Sequence, residues 1–334
     1  MKILAKSALR ADQIAVRKSL AVDGIEIILL SEDMDNYSQA LDKLRRAADD
    51  FSVVGLEAPC EDKDLVINPI SDDIFQSRKS RDYLFRCVDL INGVKQGTDC
   101  EAYFQYQYSF DSFDQGKPRH GAARKILLER IVEFHHELQH RSDVPLQIEN
   151  GTPIGIRKNQ PMYLPVTAGM EEFGEMRIPL ALDIAHLAIS LYTWSKAVKD
   201  GELYRVATPL GSLSIEMSDA QSSAGAYIGE SFFRGTFTRD TITAIINRFI
   251  HIYHDLIGSL QFSNAKPGVG TDVHDEGYAG MNGLLDVERV FREAIIPLNI
   301  PYVIPEYEED DYLHPTHQRD AIEMVRRLQG TLSC

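Results

Sequence analysis

The stretch Pro179-Leu180-Ala181-Leu182-Asp183-Ile184-Ala185-His186-Leu187 decides how the chain is read. Apolar residues on both sides of Leu182 suit a strand buried on two faces, as in a parallel sheet covered by helices. The run stops abruptly in an acid, with an imidazole three residues further on. In a β/α barrel the active site lies at the C-terminal ends of the strands, where Asp183 and His186 could both reach one polyvalent cation or one substrate oxygen. The same pair also suits a helix N-cap Asp followed by a helix-surface His, so the neighbouring segments have to decide.

Working outward toward the C-terminus, Leu187 to Val198 reads as a helix and 200–237 as the irregular region of the chain. Arg239 to Leu256 is a helix, Ile257 to Ser263 strand seven, Val287 to Leu298 a helix, Tyr302 to Glu306 strand eight, and Pro315 to Leu328 the closing helix. Toward the N-terminus, Pro145 to Asn150 is strand five, broken by Gly151-Thr152-Pro153. Before it comes a long helix, Ala122 to His140, with Ile126, Leu127, Ile131, Phe134 and Leu138 expected on its inner face. Glu101 to Phe110, Ser52 to Ala58, Ile25 to Leu30 and residues 2–6 are strands four to one, separated by helices over Arg81 to Val94, Asn36 to Asp49 and Ala11 to Val22.

Eight strands alternating with helices predict an α/β fold, a (β/α)8 TIM barrel with an insertion between strands six and seven. The 334 residues, 44% hydrophobic, suit one domain over 1–334, since such barrels run to about 250 residues before insertions. An open doubly wound sheet is the alternative. No G-x-G-x-x-G follows a strand and no G-x-x-x-x-G-K-[ST] occurs, so its nucleotide-binding forms have no support.

The net charge of -15, from 35 basic and 50 acidic residues without a long basic run, disfavours a nucleic-acid surface. The acidic clusters Asp33-Asp35 and Glu61-Asp64 read as solvated loops. The four cysteines, Cys60, Cys87, Cys100 and Cys334, show no C-x-x-C pair and read as reduced thiols. The first residues lack a signal-peptide apolar region, and no apolar run approaches the roughly 20 residues that span a bilayer. A cytoplasmic protein without membrane contact is therefore expected.

Four later strands end in a group able to hold a hard cation: Glu149, Asp183, Gln261 and Glu306. Oxygen ligands at adjacent strand ends converge inside a barrel mouth, which suits Mn²⁺, Mg²⁺ or, with a nitrogen ligand, Zn²⁺ or Fe²⁺. Any single carboxylate after a buried strand is more often a helix cap. The recurrence on consecutive strands is what points to a metal.

These residues resemble the xylose-isomerase-like TIM barrels, the superfamily of sugar isomerases, ketose 3-epimerases and the endonuclease IV type of AP endonuclease. Leu146-Gln147-Ile148-Glu149-Asn150 is similar to the strand-five glutamate segment, Asp183-Ile184-Ala185-His186 to the strand-six Asp-x-x-His, and Val303-Ile304-Pro305-Glu306 to the closing glutamate. Asp272-Val273-His274, followed by Gly277 and Gly280, looks like the segment before the seventh helix. Gln261 stands where the family has a metal-binding histidine, Asn264 where it has that residue's aspartate partner, and Glu57 where strand three carries His-Ala-Pro. Strand four offers Gln105, Tyr106 and Gln107 and no histidine, so the trinuclear zinc arrangement of the AP endonucleases is not matched.

The resemblance implies a metal-dependent isomerase or epimerase that abstracts a proton beside a metal-bound carbonyl of a small sugar-like or polyol substrate. Glu149 and Glu306 would exchange the proton, and His186 would hold a substrate oxygen. Glu57 would bind substrate hydroxyls or remain a structural acid, and Tyr106 would wall the pocket, with core filling the alternative. The metal set would be Glu149, Asp183, Gln261 and Glu306. The alternatives are a metal-dependent hydrolase or phosphoesterase with a second ion at His186, Asp272 and His274, and a metal-free binding protein of the same fold. Residues 200–237, with Gly225, Gly229 and Gly235 as hinges and Tyr227, Phe232 and Phe233 as apolar surface, are expected to form a lid over the mouth or a homodimer contact.

Overall fold

The computed structural model describes residues 1–63, 65–107, 113–114, 117–118, 121–151, 177–199, 203–208, 211–216, 238–266, 276–280 and 282–332. Eight parallel strands close into a barrel: β1 Lys2–Ala8, β2 Gly24–Ile28, β3 Val53–Glu57, β4 Glu101–Tyr106, β5 Leu146–Glu149, β6 Leu180–Asp183, β7 Ile257–Phe262 and β8 Tyr302–Pro305. The helices between them are α1 Ala11–Ser19, α2 Tyr37–Asp50, α3 Ile74–Gly97, α4 Gly121–Arg141, α5 Ile184–Lys199, α6 Arg239–Tyr253, α7 Val287–Val290 and α8 Thr316–Leu332. Helix α7 runs on as a π-helix over Phe291–Ile295. The expected (β/α)8 barrel is thus the observed fold.

Period-two alternation sends one set of strand side chains outward to the helices and the other into the barrel. The outward set, including Ile25, Ile27, Phe104, Tyr106, Ile148, Leu182, Leu260 and Phe262, joins the helices in the main hydrophobic core. Inside, the apolar filling is a plug made of Leu4, Val53, Tyr103 and Ile304 with Tyr302 against it. A Cβ at Gly55 would overlap the Tyr103 ring, so the glycine makes room for that plug. Above the plug stand Lys6, Glu26, Gln105, Gln147, Ser259 and Gln261, all buried. Barrel interiors are usually filled by branched apolar side chains. A polar interior is stable only when its groups pair with each other, so this layer has to form one connected network.

On α4, Ile131, Phe134 and Leu138 are fully buried as expected, but Ile126 is 49% exposed. Ile126 lies five positions before Ile131, about 140° from it and about 80° from Phe134 at 100° per residue, and so falls outside the stripe. Of the insertion expected over 200–237, the structure describes an antiparallel hairpin, Leu203–Thr208 with Gly211–Glu216. Gly225, Tyr227, Gly229, Phe232, Phe233 and Gly235 lie outside the described residues, as do Asp272 and His274. No helix among the described residues is long and apolar enough to cross a membrane. Cys87 and Cys100 are free thiols.

Candidate active site

Strands β5 and β6 end side by side and place Glu149, Asp183 and His186 together, all buried, with one donor atom from each within 4.8 Å of the others. Asp183 serves both of the uses open to it. Its Oδ1 accepts the backbone N–H of His186 at 2.8 Å, capping the first turn of α5, while Oδ2 faces His186 Nε2 at 3.8 Å. Asn150 fixes the pair. Its side chain donates to the Asp183 carbonyl and accepts the Asp183 N–H, each at 2.8 Å, and its own carbonyl lies 2.6 Å from His186 Nδ1. A carbonyl only accepts, so Nδ1 donates to it, and Nε2 is the nitrogen presented to the mouth. An outer hydrogen bond of this kind orients metal-binding histidines generally.

Nε2 meets a residue that the sequence did not flag, Glu276, at 2.7 Å. Glu276 precedes Gly277, whose φ of +75° turns the chain back. The loop is pinned from below by Asn264, which donates to the Leu285 carbonyl at 2.9 Å, accepts the Leu285 N–H at 3.2 Å and pairs its backbone with Tyr278. Asn264 therefore works as a loop clamp.

The second missed group is Lys6, with Glu26. The Lys6 ammonium contacts Glu26 Oε1 at 3.0 Å, Glu306 Oε1 at 3.2 Å and Glu57 Oε2. Gln261 Nε2 donates to the same Glu26 and Glu57 oxygens at 2.9 and 3.1 Å. Gln105 Nε2 bridges Glu57 and Glu149 at 3.0 and 3.2 Å, and Gln107 donates to the other Glu149 oxygen at 2.6 Å. Both missed charges interrupt strands that are otherwise apolar, Ile3-Leu4-Ala5-Lys6 and Ile25-Glu26-Ile27, which was the available signal. Glu276 had none, because it lies in a loop that no strand pattern reaches.

Glu149, Asp183, Gln261 and Glu306 thus all lie at the C-terminal mouth of the barrel, and two of them carry unused oxygens. Among the described residues, Gln261 Oε1 and Glu306 Oε2 are buried without a hydrogen-bond partner. Glu57 is tied to Lys6, Gln105 and Gln261, which fits the structural acid of its two expected roles. Tyr106 is corrected. It faces the helices, with its hydroxyl 2.7 Å from His135 Nδ1 and its ring stacked on that imidazole, because alternation gives the inward positions of this segment to Gln105 and Gln107.

Electrostatics separates the groups. Among the described residues, the carboxylates Glu26, Glu57, Glu149, Asp183, Glu276 and Glu306 outnumber the cationic Lys6 and His186 by four. Burial raises Glu149 well above the usual carboxylate range, and Glu57 and Glu306 add to it. Burial likewise raises Asp183 against the pull of His186. Burial pushes Glu306 up to about 8, with Lys6 opposing and Glu57 and Asp183 adding. Burial alone would lower His186 and Lys6, but their carboxylate neighbours outweigh it and hold both well above their ordinary values.

No protein-family model matches the sequence, and no curated protein matches it. The fold does match solved structures. A D-tagatose 3-epimerase-like protein is similar with a TM-score of 0.59 at 12% identity, covering 99% of this chain and 100% of that one. The 3-keto-D-glucoside 4-epimerase of E. coli gives 0.57 at 13%, covering 98% and 99%. Endonuclease IV of Thermus thermophilus gives 0.56 at 12%, covering 99% and 100%. The chain therefore shares the (β/α)8 barrel fold of these proteins.

Proposed function

We propose that the chain is a metal-dependent isomerase or epimerase that moves a carbon-bound proton beside a carbonyl of a small sugar-like or polyol substrate. The observation that supports it is the donor set at four consecutive strand ends. Glu149 and Asp183 converge beside His186, while Gln261 and Glu306 each bury an oxygen without a partner. A divalent cation fits this set, because it satisfies the orphaned oxygens and offsets the excess acid. Glu149 and Asp183 would hold it, with Glu306 and the weaker neutral amide of Gln261 completing the set. When bound, the ion supplies Lewis acidity to a substrate carbonyl or enediolate oxygen.

The chain's own groups account for the rest. Glu149, gripped on both oxygens by Gln105 and Gln107, and Glu306, held on one oxygen by Lys6, are the two carboxylates that take and return the carbon-bound proton. His186, with Nδ1 committed to the Asn150 carbonyl, directs Nε2 to a substrate oxygen. Sugar epimerases among proteins of this fold are consistent with a small polyhydroxylated substrate.

Metal content by plasma mass spectrometry, combined with a solvent-deuterium exchange screen of ketoses and cyclitols, tests this reading. We expect incorporation of deuterium next to a carbonyl, abolished by chelation and by E149Q or E306Q with the fold intact by circular dichroism. Exchange that survives chelation would sink the reading. A second reading, a phosphoesterase with two or more ions, draws on Glu276 Oε2 at 2.7 Å from His186 Nε2, which offers a further carboxylate beside Asp183. More than one ion per chain, with hydrolysis of a small phosphoester, would favour it.

A further inference from the structure

Lys6 projects from β1 into the barrel, 9% exposed, and its ammonium lies among carboxylates from three other elements: Glu26 of β2, Glu57 of β3 and Glu306 at the end of β8. The ammonium donates to Glu26 and Glu57 and forms an ion pair with Glu306 Oε1 at 3.2 Å, so three carboxylates share its charge. Carboxylate oxygens from three strands around one point make the kind of cage that hard cations occupy, with the Gln261 amide N–H donating to two of them at the edge. The cage also shares Glu306 with the ion site proposed above. Two-ion enzymes place their ions about 3.5 to 4 Å apart on shared carboxylates. Through Glu306, Lys6 therefore borders the ion site proposed above.

We propose that Lys6 is a built-in cation that occupies the place of a second metal ion, so that the Glu26–Glu57–Glu306 cage is closed to exchangeable divalent ions. A tethered ammonium differs from an ion in two ways. It is not lost to chelators, and it binds Glu306 through Oε1, leaving Oε2 without a partner. A divalent ion in the cage would compete for that second oxygen and for its use as a base. Lys6 thereby closes the Glu26–Glu57–Glu306 side of the mouth to a further ion. This builds on the ion site of the proposed function, but its test reads a difference between variants and stands apart from that reading.

The test counts Mn²⁺. Wild type, K6M, K6R and K6M/E26Q are stripped with chelator, titrated with MnCl₂, and the bound ion is measured by electron paramagnetic resonance and by plasma mass spectrometry after gel filtration. K6M is expected to bind one Mn²⁺ per chain more than wild type, with a spin-coupled signal if the Glu149–Asp183 ion is also present. K6R, which keeps the charge, should match wild type. K6M/E26Q removes one acid together with the cation, so it keeps a folded cage available, and it too should gain an ion, more weakly held. A wild type that binds no Mn²⁺ while K6M binds one would remove the proposed function and leave this inference standing. Folded K6M and K6M/E26Q with the wild-type count overturn it. So do variants that stay unfolded by circular dichroism with Mn²⁺ present, because the ion has then failed to replace the ammonium.

Discussion

Replacing Asn150 by Ala should loosen the joint between β5 and β6 and weaken the cation site with it. The Asn150 side chain is 3% exposed and makes two hydrogen bonds, both at 2.8 Å, to the backbone N–H and C=O of Asp183. Each buried backbone group left without a partner costs about 1 to 3 kcal/mol, reduced where water can enter the space left by the amide, so the pair amounts to roughly 2 to 4 kcal/mol. The same two bonds set the direction of the Asp183 carboxylate. Loosening an outer hydrogen bond of this kind lowers metal affinity by about 10- to 100-fold. Guanidinium unfolding in the presence of chelator measures the first quantity, and calorimetric titration with Mn²⁺ the second. Asn150→Asp is the informative companion. It keeps an acceptor for the Asp183 N–H but sets a carboxylate oxygen against the Asp183 carbonyl, so it should be as unstable as the Ala variant at neutral pH and recover as acid protonates it. An Ala variant within about 0.5 kcal/mol of wild type, with unchanged Mn²⁺ affinity, would show that the strand ladder alone positions Asp183.

The pH dependence of the metal-free protein should carry the sign set by Glu306. Its folded value of about 8 exceeds the ordinary carboxylate value of 4.5, so its contribution is fully present below pH 4.5 and is lost as pH rises through about 8. Unfolding of chelated protein at pH 5, 6.5 and 8 should show that decline, and E306Q should flatten it; an E306Q slope equal to wild type would refute the assignment. Mn²⁺ affinity should rise over the same range, because binding displaces protons. Gln261→His should raise divalent-ion affinity by roughly 10-fold or more if the unpartnered Oε1 points at the ion, and an unchanged constant by calorimetry would place that oxygen elsewhere. Tyr106→Phe should cost about 1 kcal/mol through the lost His135 hydrogen bond and leave deuterium exchange at the wild-type rate; slowed exchange at equal stability would return Tyr106 to the pocket.

The order of elements was legible in the chain because each strand and helix carries its own period, and the alternation of the two leaves few topologies. Strand-end residues were legible for the same reason: a polar group that closes a buried apolar run, as Asp183 closes Leu180-Ala181-Leu182, has to lie at the rim. The sequence by itself therefore determined the barrel, the end of it that matters and the candidates Glu149, Asp183, Gln261 and Glu306. Which groups meet was decided by tertiary structure. Closing the barrel brings Lys6 of β1 against Glu306, 300 residues away in the chain, and turns Tyr106 away from the mouth while Gln105 on the same strand enters it. His186 Nδ1 is engaged by a carbonyl 36 positions earlier, and the partner of Nε2, Glu276, arrives on a loop. Period and composition are local properties, whereas burial, charge balance and the pairing of polar groups are fixed only when distant strands close on one another.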